Sequence, residues 1–145
     1  MGLILDSSVL ITAERQGENA RQMLAAISNR VGNIEIGVSV VTMIELAHGA
    51  ARADSLERRA KRQQFIRELL LALPIHPVTV SVALRCGQID GANQAKGVRL
   101  PLTDLLIGVT ALELGYGVAT ANIPAKLVAA SASEIWITRS AIARL

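Results

Sequence analysis

Gly2-Leu3-Ile4-Leu5-Asp6-Ser7-Ser8 decides the fold. Three large aliphatic residues run directly into an acid, and two small hydroxylated residues follow before Val9-Leu10-Ile11 resumes the apolar pattern. A short unbroken apolar run bounded by turn residues suits a strand buried on both faces, as in a parallel sheet. Asp6 then stands at the C-terminal end of that strand, where a helix begins. In open α/β sheets that edge is where ligands bind.

Outward from this stretch, Ser7 to about Arg15 reads as a helix, with Ser7 or Ser8 as its cap. Gln16-Gly17-Glu18 breaks it, and Asn19 caps a second helix through about Asn29. Ile36 to Val41 is β-branched and apolar, the pattern of a second buried strand. Thr42-Met43-Ile44-Glu45 has the spacing of a capping box, so a helix is expected from there to about Ala53. Asp54-Ser55 opens a longer helix, Leu56 to Leu73. Prolines on both sides of Ile75-His76 confine that piece to an edge strand or a loop and suggest a surface position for His76. Thr79 or Ser81 opens a helix that ends near Gly97. Thr103 is expected to cap a strongly apolar helix, Asp104 to Leu114, closed by Gly115. Gly117 to Ala121 reads as a strand, Glu134 to Thr138 as a last one, and the tail as a final helical turn. Strands alternating with helices define one α/β domain over residues 1–145, with a mostly parallel sheet of about four to five strands and helices on both faces.

Composition narrows the function. The chain has 145 residues, 51% of them hydrophobic, enough for a core without disulfides. Aromatics are only 2%, which argues against a base-stacking platform for single-stranded nucleic acid. The net charge of +3 is compatible with a polyanionic partner without requiring one. The single cysteine, Cys86, excludes a disulfide framework and a cysteine zinc site. No apolar run approaches the ~18 residues that span a membrane, and no leader pattern is visible. The expected compartment is the cytoplasm.

Three acids fall at equivalent places. Asp6 ends the first strand, Glu45 opens the helix after the second, and Asp104 opens the helix that leads into the Gly117 strand. A strand's C-terminus and the N-terminus of a neighbouring helix share one edge of the sheet, so all three are expected at the same edge. Each has an ordinary explanation as a cap or as an anion at a helix dipole. Together they are harder to explain that way, because a hydroxyl cap stands beside each (Ser7 or Ser8, Thr42, Thr103). Gathered carboxylates repel one another unless a cation compensates. A hard divalent ion, Mg²⁺ or Mn²⁺, suits oxygen ligands, and such a site can activate water for attack on phosphorus. His48 lies one turn from Glu45 and is within reach of the site, though a lone histidine at that spacing is more often structural. No phosphate loop, dinucleotide fingerprint or nucleophile–histidine pair is present.

These residues resemble a family. Leu3 to Ile11 resembles the opening of PIN-domain ribonucleases, particularly VapC-type toxins of toxin–antitoxin pairs. Glu45-Leu46-Ala47-His48-Gly49 is similar to their second motif. Pro101 to Gly108 is similar to their third, and Thr120-Ala121-Asn122 to their fourth. The resemblance implies an endoribonuclease dependent on Mg²⁺ or Mn²⁺, usually a homodimer. It implies inhibition by a cognate antitoxin and an RNA substrate, often structured RNA such as tRNA. DNA would be met only through the antitoxin. Carried over, Asp6, Glu45 and Asp104 are catalytic metal ligands, and Ser8, Thr120 and Asn122 are supporting or substrate contacts. One departure stands out. Many relatives have a further Asp about three residues after the Asn, where this chain has Pro124 and Ala125, which puts a second metal in doubt.

Other readings remain open. A PIN fold with a weakened site would bind RNA or a protein without cutting. A phosphatase or receiver domain also places Asp after strand one, but lacks its remaining residues here. The basic stretch Arg52 to Arg67 reads either as a solvated mixed-charge face or as a contact for RNA phosphates or an acidic antitoxin. An aliphatic face near Leu46, Phe65 and Leu69 would suit a helical partner, or simply core packing.

Overall fold

The computed structural model describes residues 1–121. Asn122, Pro124, Ala125, the expected strand Glu134 to Thr138 and the final helical turn lie outside the described residues. The elements are β1 (Gly2–Leu5), α1 (Ser7–Arg15), α2 (Ala20–Val31), β2 (Glu35–Ser39), α3 (Val40–Ala51), α4 (Leu56–Ala72), β3 (Ile75–His76), α5 (Val80–Ala95), α6 (Leu102–Leu114) and β4 (Gly117–Ala119).

The four strands form one sheet in the order β3-β2-β1-β4, and all pairings are parallel. β1 is therefore flanked on both sides, Leu5 registering with Val38 of β2 and Ala119 of β4. All four of its residues are buried. Alternation along it feeds two layers. Leu3 and Leu5 pack with Val9, Leu10, Met23, Ile27 and Leu69 of α1, α2 and α4. Ile4 faces the other way, against Val41, Ile107, Ala111 and Val118. α5 completes that second layer through Val82 and Cys86 against Leu105 and Val109 of α6. This is the expected α/β/α arrangement, with β3 at the sheet edge. His76 is half-buried rather than at the surface, its ring lying over Gly37. A Cβ at Gly37 would come within 2.7 Å of His76 Nε2, so this close approach requires glycine.

Several expected helix starts are corrected. Asp6 itself caps α1, accepting from Ser8 N, and Ser7 and Ser8 are the first helical residues. β2 stops at Ser39, whose Oγ accepts from Val41 N and caps α3. Thr42 and Glu45 are therefore not a capping box. Glu45 falls in the second turn, and the buried Thr42 directs its Oγ1 to Leu5 O at 3.3 Å. α6 begins at Leu102 behind Pro101 with no side-chain cap, so Thr103 lies inside the helix, as does Asp104 in its first turn. The reason is common to all three: the chain turns immediately at the strand or proline, and helix geometry starts at the first residue free to adopt it. Asn19 does cap α2, with Gln22 closing a reciprocal pair, and Gly115, at φ 68°, ends α6 in the left-handed conformation.

α2 is also held from a distance. Glu68 of α4 accepts the backbone N–H of buried Ala20 at 3.1 Å, satisfying a first-turn donor that no local residue reaches. Glu68→Ala is expected to cost about 1–2 kcal/mol, and Glu68→Gln less, because the amide oxygen still accepts. Urea denaturation checks this: the midpoint falls with an unchanged slope.

Candidate metal centre at the C-terminal edge of the sheet

Two chain paths bring acids to the same edge. β2 ends there and turns into α3, so Glu45 stays near the top of that helix. α6 runs back down into β4, so its first turn, with Asp104, stands at the top as well. Asp6 lies between them, its N–H donating to Ala119 O at 2.9 Å and extending the β1–β4 pairing by one step.

Electrostatics tie the three together. Burial raises the Asp104 carboxyl above its ordinary value of 3.8, and the negative charges of Asp6 and then Glu45 raise it further. Glu45 Oε2 is buried and has no hydrogen-bond partner among the described residues. Leaving a carboxylate oxygen in that state is costly unless a proton or a cation meets it. Asp6 is the anchored member. Its Oδ2 accepts from Ser8 Oγ at 2.5 Å and from Thr120 Oγ1 at 2.9 Å, and Ala121 N donates to Ser8 Oγ at 2.9 Å. No three Asp, Glu, His or Cys side chains among the described residues are already closed round a point as a finished metal cage. The acids are gathered but not yet converged. An all-carboxylate donor set with one orphaned oxygen and one acid reluctant to ionise fits a hard divalent cation better than a soft one.

The other candidates sort themselves. His48 is exposed. Leu46, Phe65 and Leu69 are buried core residues, which removes the proposed aliphatic docking face. Every basic side chain of α4 has an intramolecular partner. Arg58 pairs with Asp54 and Lys61 with Glu57, Arg59 and Arg62 donate to Ala51 O and Gly49 O, and Arg67 donates to Gln64. Only Arg58, Lys61 and Arg62 face acids, so the stretch is a mixed-charge surface with a positive excess. Sequence reasoning missed Arg62, which clamps α4 to α3 and approaches Glu14 of α1 at 3.7 Å beside a cleft that Glu45 also lines. No local pattern marks it, because its partners lie on other helices.

A parallel α/β/α sandwich with acids at the C-terminal edge of its strands defines a class of acid-site folds. Within that class the PIN domain family model matches residues 3–130, and the chain belongs to the PIN domain family. It is 28% identical over 123 residues to Ribonuclease VapC1 of Rickettsia felis, covering 85% of this chain and 87% of that protein. Solved structures with the same fold include VapBC-1 from nontypeable Haemophilus influenzae, with a TM-score of 0.74 and 19% identity over 97% of this chain and 99% of that one. DNA-bound VapBC from Salmonella typhimurium matches with a TM-score of 0.73 and 20% identity, over 95% and 97% of the two chains. The resemblance read from the four motifs is borne out, as is the fold. No helix among the described residues is long and apolar enough to cross a membrane.

The raised Asp104 carboxyl has a consequence for stability. Between its ordinary and its raised pKa the folded protein holds a proton that the unfolded chain has lost. Stability therefore falls as pH rises through that window. Metal-free protein is expected to lose stability from about pH 4 upward through the window, relative to Asp104→Asn, which should be more stable near pH 7. Urea midpoints of the two proteins across that range check it; parallel curves would contradict it.

Proposed function

We propose that residues 1–145 form one nuclease domain, a divalent-metal-dependent endoribonuclease acting as the toxin of a type II toxin–antitoxin pair. The observation that carries this reading is the gathering of Asp6, Glu45 and Asp104 at one edge, with Glu45 Oε2 buried and without a partner among the described residues. Family membership and the ribonuclease name of the Rickettsia felis relative support it. In this reading the three acids hold Mg²⁺ or Mn²⁺. Bound there, the ion would supply a lowered water pKa and offset the charge that builds on phosphorus.

The chain's own groups do the rest. Glu45 and Asp104 contribute carboxylates from two helices that reach the edge beside Asp6. A cation at this edge would offset the like charges that raise the Asp104 carboxyl. Ser8, Thr120 and Asn122 support that edge or touch the substrate. The RNA is a structured one such as tRNA. The cognate antitoxin is the regulatory partner, a homodimer the working unit, DNA is reached only through the antitoxin, and the cytoplasm is the compartment.

Purified protein is expected to cleave RNA with Mg²⁺ or Mn²⁺ and to stop with a chelator. Asp6→Asn, Glu45→Gln and Asp104→Asn should each lower the rate roughly a hundredfold or more, since each removes a charge that the transition state needs. Gel-resolved RNA cleavage checks this. Intact cleavage in Asp6→Asn would remove the site assignment. No heat on Mn²⁺ titration, with RNA affinity indifferent to metal, would make the protein a binding module instead.

A further inference from the structure

A cleft between α1, α3 and α4 adjoins the acids, because Glu45 lines it. Ile11 and Ile66, with the buried Leu46 and Phe65, give it an apolar lining. Its volume is about 120 Å³. Pockets that enclose a whole small molecule start at ~300 Å³, so this one takes a part of something larger. A helix, ~10 Å across with its side chains, is too wide for it. Its charges cancel, Glu14 and Glu45 against Arg15 and Arg62, which suits a neutral guest. The Glu14–Arg62 pair is also incomplete. Arg62 Nη1 donates to Gly49 O at 2.6 Å, which fixes the guanidinium, while Nε stands 3.7 Å from Glu14 Oε1, too far for a hydrogen bond. The Glu14 carboxylate accepts no hydrogen bond among the described residues. An acceptor and a donor group thus stand side by side in the cleft, both with hydrogen-bonding capacity left.

We propose that this cleft is a base-recognition subsite for one unpaired guanine or cytosine of the RNA, with Glu14 and Arg62 as the residues that set the preference. This rests on the nuclease reading above. Sequence-specific recognition of RNA works on unpaired bases turned out of the strand and read along their edges. Guanine and cytosine each present an amino group and a carbonyl oxygen on one edge. The amino group donates to Glu14 and the carbonyl oxygen accepts from Arg62. Adenine lacks the carbonyl and uracil lacks the amino group, so each leaves one member of the pair unmatched. The flat, uncharged ring fits the apolar lining and the cancelled charges. A base held beside Glu45 then fixes which phosphodiester bond lies at the acid edge.

The test follows the Arg62 Nε–H signal of full-length ¹⁵N-labelled protein by NMR in Mg²⁺, the signal being assigned by its loss in Arg62→Lys. The four nucleoside monophosphates, ribose phosphate and a peptide rich in glutamate and asparagine are titrated in turn. Guanosine and cytidine monophosphates are expected to shift the signal to saturation and to bind roughly tenfold more tightly than the adenosine and uridine compounds. Glu14→Ala should remove that difference. In mixed-sequence RNA, wild type should cut beside guanine or cytosine, and Glu14→Ala beside all four bases alike. A signal that moves equally with ribose phosphate, or with no nucleotide, overturns the inference; RNA still cut with Mg²⁺ then leaves the nuclease reading standing. A shift with the peptide and none with nucleotides gives the cleft to a protein partner and likewise overturns it. Selective binding of the guanosine and cytidine compounds by a protein that cuts no RNA keeps the base subsite and removes the nuclease reading. If Glu14→Ala fails to fold, the discrimination by wild type among the four nucleotides decides alone.

Discussion

Like charges held at a half-buried edge are the constraint around which this molecule is arranged. Burial and the neighbouring charges of Asp6 and Glu45 both work against ionisation of Asp104. The fold tolerates this because the acids sit on rigid starts of elements rather than on loops, and because one of them is hydrogen-bonded in place. β1 makes the arrangement possible. With a strand on each side and a helix layer on each face, its end cannot shift without disturbing both packed layers. Asp6 inherits that rigidity.

The topology uses two opposite chain directions to reach one place. α3 leaves the sheet edge and α6 returns from it, so one acid follows its strand and the other precedes its strand. Placing β1 between β2 and β4 then puts Asp6 between them. Residues distant in sequence become neighbours with no loop dedicated to the task. That is the economy of ligand sites at the C-terminal edge of parallel sheets.

Much of this was legible in the chain. The run Leu3-Ile4-Leu5 announces a doubly buried strand, and the apolar helix after Asp104 announces its layer. The caps were misread in an instructive way. Thr42 and Glu45 have capping-box spacing, yet Ser39 caps α3 because the helix begins as soon as β2 ends. Spacing alone does not say whether a threonine faces its own helix's first turn or a neighbouring strand, and Thr42 turns to Leu5 O. Cross-element partners such as Glu68 with Ala20, or Arg62 with Gly49, have no local signature at all. They arise from which helices the core apposes, and that is known only once the layers are stacked.

The helix caps bear directly on the three acids. The hydroxyls expected as caps beside the three acids, Ser7 or Ser8, Thr42 and Thr103, cap none of these helices. The structure withdraws those hydroxyls, so each acid must be judged on its own surroundings. Asp6 does cap its helix, and its interest lies in the two side-chain hydroxyls added to the cap. Asp104 stands in a first turn with no side-chain cap, where a helix dipole favours an anion, yet its carboxyl is pushed toward the protonated state. The opposing influences must therefore outweigh the dipole, and they come from burial and from the other two acids. Glu45 has the simplest case. Sitting in a second turn, it has no capping role to explain it, and its buried Oε2 has no hydrogen-bond partner among the described residues. A positive charge between these side chains would offset their repulsion.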